Sequence, residues 1–250
     1  ISYRESYRFS NYLKLYYKRM IDEYLFSVSL ATNHFKTDYK DRDDTPVDDL
    51  RDNTNYRDHS YMARAQLQRF FNDGDNIIIG SEISLDQSRS NVLRNIYEQP
   101  EQKTSAGFAK YRMKLRDNLI LDMGVRYDYR DVTGGEGYSI KSFQALSPKI
   151  SLIYDMNSSL ITYLSYNKGF RAPSISELFL EYESSYGLLL QGNPTLKPES
   201  LTSIESGFKL QKEGVSYFGN VFFNQYSDMI DFIYTIPDRS VNREIVKGIG

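Results

Sequence analysis

Long segments of the chain alternate between apolar and polar residues, and this feature constrains the fold more than any other. In residues 119–130 the odd positions carry Leu, Met, Val and Tyr, whereas most even positions carry Asp, Gly or Arg. Successive side chains of a strand point to opposite faces, so the segment predicts a strand with one apolar and one charged face. Residues 109–116 repeat the pattern, and Asp117-Asn118 between the two segments predicts a tight turn.

The alternation recurs along the whole chain and predicts about ten strands of roughly 10–15 residues, with an eleventh beginning near Arg243. Such strands exceed the usual soluble length of about 5–6 residues and match the roughly 9–11 residues that a tilted strand needs to cross a bilayer. Short turns alternate with long loops, which is typical of an outer-membrane barrel. Short turns are predicted near residues 21–22, 72–75, 117–118, 156–157 and 213–214, and long loops near 41–58, 91–103, 132–142, 170–198 and 236–242.

Composition agrees with β structure and excludes several other classes. The chain has 22 Tyr and 14 Phe, and such an aromatic load favours strands. It has no cysteine, which excludes disulfides and thiolate metal sites, and its net charge of −2 gives no reason to expect nucleic acid as a partner. A soluble β-sandwich would also show one-sided strands. Strand length and the alternation of turns and loops favour the barrel over the sandwich.

The two ends of the chain indicate an internal fragment of a longer parent protein. The chain begins with Ile1 and shows neither the basic nor the apolar region of a signal peptide, and residues 244–250 look like a strand cut short. We therefore treat residues 1–250 as one partial barrel domain.

Two motifs are more specific than the alternation. Residues 166–179 read YNKGFRAPSISELF, and residues 192–199 read GNPTLKPE. Pro173 removes a donor where a strand ends, and Pro198 biases the residue before it towards an extended shape. Together with residues 147–149 (SPK) and 205–207 (ESG), these motifs resemble the TonB-dependent outer-membrane receptors, although that family has Arg where Lys149 stands.

The resemblance implies both a fold and a function. The implied fold is all-β, an antiparallel up-and-down meander that makes about half of a 22-stranded transmembrane barrel, with the plug domain and the TonB box outside this chain. The implied function is active uptake of a metal chelate across the cell outer membrane of a Gram-negative-type bacterium, energised by the TonB complex. A ferric siderophore is the first expectation, and cobalamin, haem or a sugar are alternatives. A passive pore or an adhesin barrel is the alternative hypothesis from a different functional class.

No enzyme activity and no cofactor are expected, because neither histidine lies in a catalytic motif and no Ser–His–acid grouping is suggested. The inner wall of the barrel is expected to be polar and solvated. On the outside, Leu121, Met123 and Val125 are expected to contact outer-membrane lipid. Side chains of this wall would hold the plug and line the route of the ligand, although any wet lumen is polar. The residues expected to face the lumen include Arg64, Glu82, Arg112, Asp122, Arg126 and Arg130.

The longest loop, residues 170–198, carries the predicted ligand contacts. Arg171 would supply a cation, and Phe179, Tyr182 and Tyr186 would supply apolar surface, unless the apolar residues pack beneath neighbouring loops instead. Glu199 and Glu205 are candidates to pair with cations such as Arg171.

The acidic loop 41–52 would either bind Ca²⁺ through carboxylates or stay solvated. His34 and His59 flank this loop and are expected to meet near the rim. A haem receptor could use such a pair, although surface histidines without a special role are more common.

Overall fold

The computed structural model describes residues 3–42, 53–71, 74–90, 100–134, 139–157, 159–183 and 189–231. Ten long strands form one antiparallel sheet in which each strand pairs with the next along the chain. A short helix and a two-stranded hairpin interrupt this order between β8 and β11. The elements are β1 Tyr3–Ile21, β2 Tyr24–Arg42, β3 Asn53–Phe70, β4 Asn76–Ser90, β5 Glu101–Arg116, β6 Leu119–Thr133, β7 Lys141–Asn157, β8 Leu160–Arg171, α1 Ile175–Phe179, β9 Glu181–Glu183, β10 Leu189–Gln191, β11 Glu199–Lys212 and β12 Val215–Ser227.

The sheet confirms the predicted meander. Because neighbouring strands are antiparallel, the short connections after β1, β3, β5, β7 and β11 all lie at one rim, and the long connections lie at the other. Asp117-Asn118 and Glu213-Gly214 both lie at the short-turn rim, as predicted. Positive φ angles of 53° and 80° at Glu213 and Gly214 suit the tight hairpin there. Residues 72–73, the loop near 236–242 and the strand expected near Arg243 are outside the described part of the chain.

Half of the ten long strands are longer than predicted, so the loops beside them are shorter. β1 and β2 have 19 residues each, against the expected 10–15. β2 continues to Arg42 and β3 begins at Asn53, so much of the loop predicted at 41–58 belongs to the sheet. Likewise β7 runs through Met156-Asn157, where a turn was predicted. Turn-forming and polar residues led to the wrong strand ends here, because the part of a strand that extends beyond the apolar region of the sheet needs no apolar side chains.

The two faces of the sheet differ in crowding as well as in polarity. On the polar face Ser27, Thr104, Phe108 and Asp128 are buried, although no second layer of the described chain covers them. Side chains crowd on the inside of a curved sheet, so this face is the concave one. Met123 and Val125 are 37% and 41% exposed on the other face, and Asp122, Gly124 and Arg126 point to the concave side. The predicted division of this strand is therefore confirmed.

Aromatic rings lie against glycines of the neighbouring strand and help to set the register. A side chain on Gly207 would place its Cβ 2.7 Å from the ring of Tyr163 and 2.8 Å from the carbonyl oxygen of Gly219. Such pairs cover exposed backbone and fit only one alignment of two strands. The cross-strand pairs of this kind include Gly80 with Phe108, Gly207 with Tyr163 and Gly219 with Phe208.

Helical structure is minor in the part of the chain that the structure describes. The five-residue α1 lies in the long connection after β8. Among these residues no helix is both long and apolar enough to cross a membrane.

Replacing Gly207 by Ala is expected to lower the free energy of unfolding of the parent protein by about 1–3 kcal/mol, because the new methyl group overlaps Tyr163 and a backbone carbonyl. Gly107→Ala is the matched control, since no atom lies within 4 Å of its would-be Cβ. The control should change stability by about 0.5 kcal/mol or less. Urea unfolding in detergent measures both, and equal effects would contradict the proposed role of the glycine–aromatic pairs.

Candidate functional site

The centre of the concave face carries a network of ion pairs between side chains of β3, β4 and β6, which reaches across β5. Arg126 of β6 places its Nη2 2.9 Å from Glu82 Oε1 of β4 and 2.9 Å from Asp128 Oδ1. Arg64 of β3 adds a longer pair, with Nη1 3.8 Å from Glu82 Oε2. These side chains meet because the register places their strand positions in adjacent rows. The charges therefore neutralise one another on a wall that no other layer of the described chain covers.

The remaining predicted lumenal residues share this face. Arg112 donates from Nε and Nη2 to the two carboxylate oxygens of Asp122, at 2.7 and 2.6 Å. Arg130 lies nearer the long-loop end of β6, and its buried Nε has no hydrogen-bond partner among the described residues. All six residues predicted to face the lumen thus lie on one face, whereas a part in holding a plug or lining a ligand route stays a prediction.

A depression of about 660 Å³ lies on the concave face, towards the short-turn rim. Its floor includes Phe108, whose ring lies 4.6 Å from the guanidinium carbon of Arg64. Lys110 and Lys149 also line it, and neither has an ion-pair partner in the described part of the chain. The charged residues that line it are the cations Arg64, Lys110, Arg112, Arg126 and Lys149 and the single carboxylate Asp122. Glu82 and Asp128 offset Arg64 and Arg126, and Asp122 offsets Arg112, so the remaining positive charge comes from Lys110 and Lys149. This remaining charge suits an anionic ligand.

At the opposite rim the FRAPSISELF segment folds into α1. Ser174 caps the helix: its Oγ accepts from the backbone N–H of Glu177 at 3.3 Å, and the Glu177 carboxylate accepts from the backbone N–H of Ser174 at 2.7 Å. This reciprocal capping box satisfies two donors that a helix start leaves free. It therefore stabilises a helix too short to persist by propensity alone.

Arg171, the last residue of β8, ties the two motifs together. Its Nε and Nη2 donate to the carboxylate of Glu199 at 2.6 and 2.8 Å, and its Nη1 donates to Glu177 at 2.8 Å. The hydrogen bonds from Arg171 lower the pKa of Glu199 to about 2, and those to Glu199 and Glu177 raise the pKa of Arg171. Glu199 was anticipated as a partner, whereas Glu205 instead accepts from Tyr163 and Asn220.

A small apolar core lies beneath this ion pair. Leu178 and Phe179 of α1 are 1% and 6% exposed and pack with Val132 of β6 and with Leu196. Gly192 lies so close to the end of α1 that an added Cβ would be 2.6 Å from the Phe179 nitrogen. The GNPTLKPE segment therefore needs glycine at that position to close over the helix.

These positions decide among the predictions for the loop. Phe179 is buried, so it belongs to the alternative in which apolar loop residues pack beneath their neighbours. Arg171 is held by two carboxylates but remains 45% exposed, and its contact with a ligand stays a prediction. The backbone of Tyr182 pairs with Leu190 in β9–β10, whereas its side chain and all of Tyr186 lie outside what the structure describes.

Glu177 is the residue that the sequence analysis missed. The spacing Ser174-x-x-Glu177 is a capping-box signature and could have located both the helix start and the carboxylate beside Arg171.

His34 and His59 do meet, with their Nδ1 atoms 3.0 Å apart. They lie directly opposite each other on β2 and β3, on the face that carries Leu30 and Ala63. This is the convex, apolar face, so the pair points away from the lumen. The described residues contain no group of three or more His, Asp or Glu side chains placed to hold a metal ion. Residues 43–52, most of the acidic loop considered for Ca²⁺, are outside the described ranges.

Comparison with known proteins gives consistent matches. Residues 2–248 match the family model described as "TonB dependent receptor-like, beta-barrel". TonB-dependent heme receptor A of Haemophilus influenzae is 27% identical over 147 residues, which cover 53% of this chain and 19% of that protein. The ferrienterobactin receptor of Escherichia coli is 27% identical over 135 residues, which cover 47% of this chain and 16% of that protein.

Among solved structures, the hemophore receptor HasR of Serratia marcescens, in complex with its hemophore HasA and heme, superposes with a TM-score of 0.82 at 16% identity. The match covers 98% of this chain and 44% of that chain. The likeness confirms the fold, and the chain spans less than half the length of the proteins that it matches.

Replacing Arg171 by Met is expected to loosen the rim, because Glu177 and Glu199 would face each other without their shared cation. Limited proteolysis within residues 184–188 of the parent protein should accelerate about three- to tenfold at pH 7. Lys197→Met is the matched control, since Lys197 is exposed and unpaired among the described residues, and its rate should not change.

The lowered pKa of Glu199 means that its stabilising contribution persists above its ordinary pKa of 4.5 and is lost as the pH falls towards 2. Amide hydrogen exchange of the rim should therefore still differ between the two variants at pH 5. Equal exchange at pH 5 would contradict a stabilising role for the pairing of Arg171 with Glu199.

Proposed function

The chain belongs to the TonB dependent receptor-like β-barrel family, and from that premise we propose that it forms part of the barrel of an outer-membrane receptor. The parent receptor imports an iron chelate, with a ferric siderophore as the first candidate, and draws energy from the TonB complex of the inner membrane. The observation that carries this proposal is the cationic depression on the concave face. It lies on the wall that a ligand passes, below a rim that the long connections form.

The charge of the wall supports an anionic cargo. Among the described residues neither Lys110 nor Lys149 has a close ion-pair partner, and Lys149 interacts with Glu205 at longer range, whereas Arg112 and Arg126 are directly paired with carboxylates. Many ferric siderophores carry net negative charge, and two exposed cations that line one depression attract such a ligand. A neutral sugar would gain nothing from these lysines.

Haem is the second candidate, and some of the comparisons support it. Relatives of this chain include a protein named TonB-dependent heme receptor A, and a similar solved structure holds heme. Haem also carries two carboxylates, so the same wall suits it. His34 and His59 do not strengthen this candidate, because they point to the convex face.

The rim loop supplies the outer contacts of the proposal. We retain Arg171, Tyr182 and Tyr186 as ligand contacts, and we remove Phe179 from that set because it is buried in the small core. Arg171 can present its exposed edge to a ligand while its two carboxylates keep the side chain in place.

Titration of the purified parent receptor with a ferric catecholate chelate, haem and cobalamin tests the function. We expect micromolar or tighter binding of the ferric chelate or of haem. Lys110→Gln combined with Lys149→Gln should weaken that binding about five- to tenfold, because two cations are lost from the wall. Lys168→Gln combined with Lys212→Gln is the matched control, because these lysines lie on the convex face.

Two outcomes would overturn parts of this scheme. Absence of binding by every probe would remove the metal-chelate function and leave a sugar receptor, a passive pore or an adhesin. Equal weakening in both double variants would show that the concave depression is not on the ligand route. Tyr182→Ala with Tyr186→Ala should weaken binding without changing barrel assembly, since loops tolerate substitution better than strands.

The outer-membrane location predicts a cost for charge on the convex face. Met123→Arg should lower the stability of the parent barrel in lipid by about 2–4 kcal/mol, because the guanidinium would enter the apolar layer. Ser151→Arg is the matched control, since Ser151 pairs with Asp122 on the concave face. Unfolding in lipid vesicles measures both, and a cost near zero for Met123→Arg would contradict the location.

A further inference from the structure

The two histidines on the convex face have the spacing of a metal-binding pair. His34 of β2 lies directly opposite His59 of β3, and their Nδ1 atoms are 3.0 Å apart. The ring centroids are only 4.2 Å apart and the ring planes differ by 55°, so the rings lie side by side rather than end to end. A metal ion bound to both nitrogens at the usual distance of about 2.0–2.1 Å would meet them at roughly a right angle.

This angle selects the kind of metal ion. Neighbouring ligands of a square-planar or tetragonal ion are a right angle apart, and N and O ligands in that geometry are typical of Cu²⁺ and Ni²⁺. A tetrahedral Zn²⁺ ion would need the two nitrogens further apart. Cu²⁺ is also the divalent ion of this series that a given set of ligands binds most tightly. The spacing of the pair therefore favours Cu²⁺, with Ni²⁺ second.

The side chains beside the pair hold it in place and offer further ligands. The ring of Phe9 lies edge-on to His34, with centroids 6.5 Å apart and planes at 67°. Asn11 of β1 lies directly opposite His34. Gln87 of β4 lies directly opposite His59, so an amide oxygen is available on each side of the pair. In the part of the chain that the structure describes, no third His, Asp or Glu side chain completes the site, so a bound ion would keep positions for a small second ligand.

Neighbouring charges decide which complex of the metal binds. Lys36 and Arg57 each lie two residues from one histidine of the pair, on the same face. Asp38 offsets the charge of Lys36, with its Oδ2 2.6 Å from the Lys36 Nζ, whereas Arg57 is exposed. The remaining positive charge repels a bare dication, and an anionic ligand that cancels the charge of the ion removes this repulsion. A neutral copper complex is therefore favoured over the hydrated ion.

We propose that His34 and His59 bind one Cu²⁺ complex of a small carboxylate chelator through their Nδ1 atoms. In the metal-free protein one ring donates its Nδ1–H to the Nδ1 of the other. On binding, the donor ring moves this proton to its Nε2, so both Nδ1 lone pairs face the ion and the neutral rings lose no proton. The two imidazoles replace two waters of the complex, and the chelator keeps its own positions. The pair lies on the opposite face of the sheet from the cationic depression, so this site is separate from the proposed ligand route.

The test uses the untagged parent receptor at neutral pH and the neutral, equimolar complex of Cu²⁺ with iminodiacetate as the probe. Electron paramagnetic resonance counts the nitrogens bound to copper, and we expect two imidazole nitrogens at one site per receptor. His34→Gln and His59→Gln should each bind the probe at least about tenfold more weakly, since even loss of a residue that only orients a metal ligand has an effect of about that size. The signal that remains when both substitutions are combined is the background from the rest of the parent and is subtracted.

A matched control separates this pair from any two surface histidines. His59→Gln combined with Ser105→His keeps two histidines on the convex face but moves one of them to β5, three strands from His34. Neighbouring strands are about 4.8 Å apart, so one ion does not reach both rings. The control should bind the probe as weakly as His59→Gln alone.

Several results would overturn the site. Copper bound through a single imidazole, or undiminished binding by either single variant, would do so, and so would equal affinity of the control and the unmodified receptor. Absence of binding by the unmodified receptor would leave the pair as a hydrogen bond between two strands. Titration of the same preparations with the ferric chelate and haem reports on the receptor function separately, so the two proposals can fail independently.

Discussion

The pairing of backbone N–H and C=O groups along ten antiparallel strands is the constraint on which the rest of the structure depends. A sheet inside an apolar layer cannot leave these groups unpaired, so the ladder must run without interruption through that layer. The register is continuous except for shifts between Lys114 and Arg116 and between Asp155 and Asn157, both close to the short-turn rim. Because side chains alternate strictly, this one ladder assigns every residue of a strand to the concave or the convex face.

The same ladder makes the charged wall and the register interdependent. Phe108 lies against Gly80 of the adjacent strand and also beneath the guanidinium of Arg64. Arg64 in turn approaches Glu82, which Arg126 holds from β6. A slip of one residue would separate all of these contacts at once and would place arginines on the apolar face. The ion pairs therefore contribute specificity for one alignment, even where each pair is too exposed to contribute much stability.

Alternation in the sequence was sufficient to place Arg64, Glu82, Arg126 and their neighbours on one face of the sheet, as the structure has them. It could not place strand ends, because residues such as those of β2 near Arg42 remain in the ladder without an apolar face. It also could not reveal the burial of Phe179, since a five-residue helix is too short to show a period. The face on which His34 lies could have been predicted from the alternation, because His34 is four residues from Leu30 and residues an even number apart share a face of the strand. The identity of the cargo is absent from any such pattern, since it depends on side-chain positions in a complete barrel.

Where strands extend beyond the apolar layer, side chains on the convex and the concave face have different surroundings at the same level of the sheet. At the level of Lys36 the convex side chains meet whatever surrounds the barrel, while their sequence neighbours meet the interior. Lys36, Arg57 and Arg89 lie opposite one another on β2, β3 and β4 and face the convex side, so none of the three contributes to the polar contacts of the concave face. Directly opposed like charges lower the stability of a sheet, and nearby carboxylates such as Asp38 beside Lys36 reduce that cost. The direction of these three side chains is therefore set by the alternation of their strands and is independent of the polar contacts on the concave face.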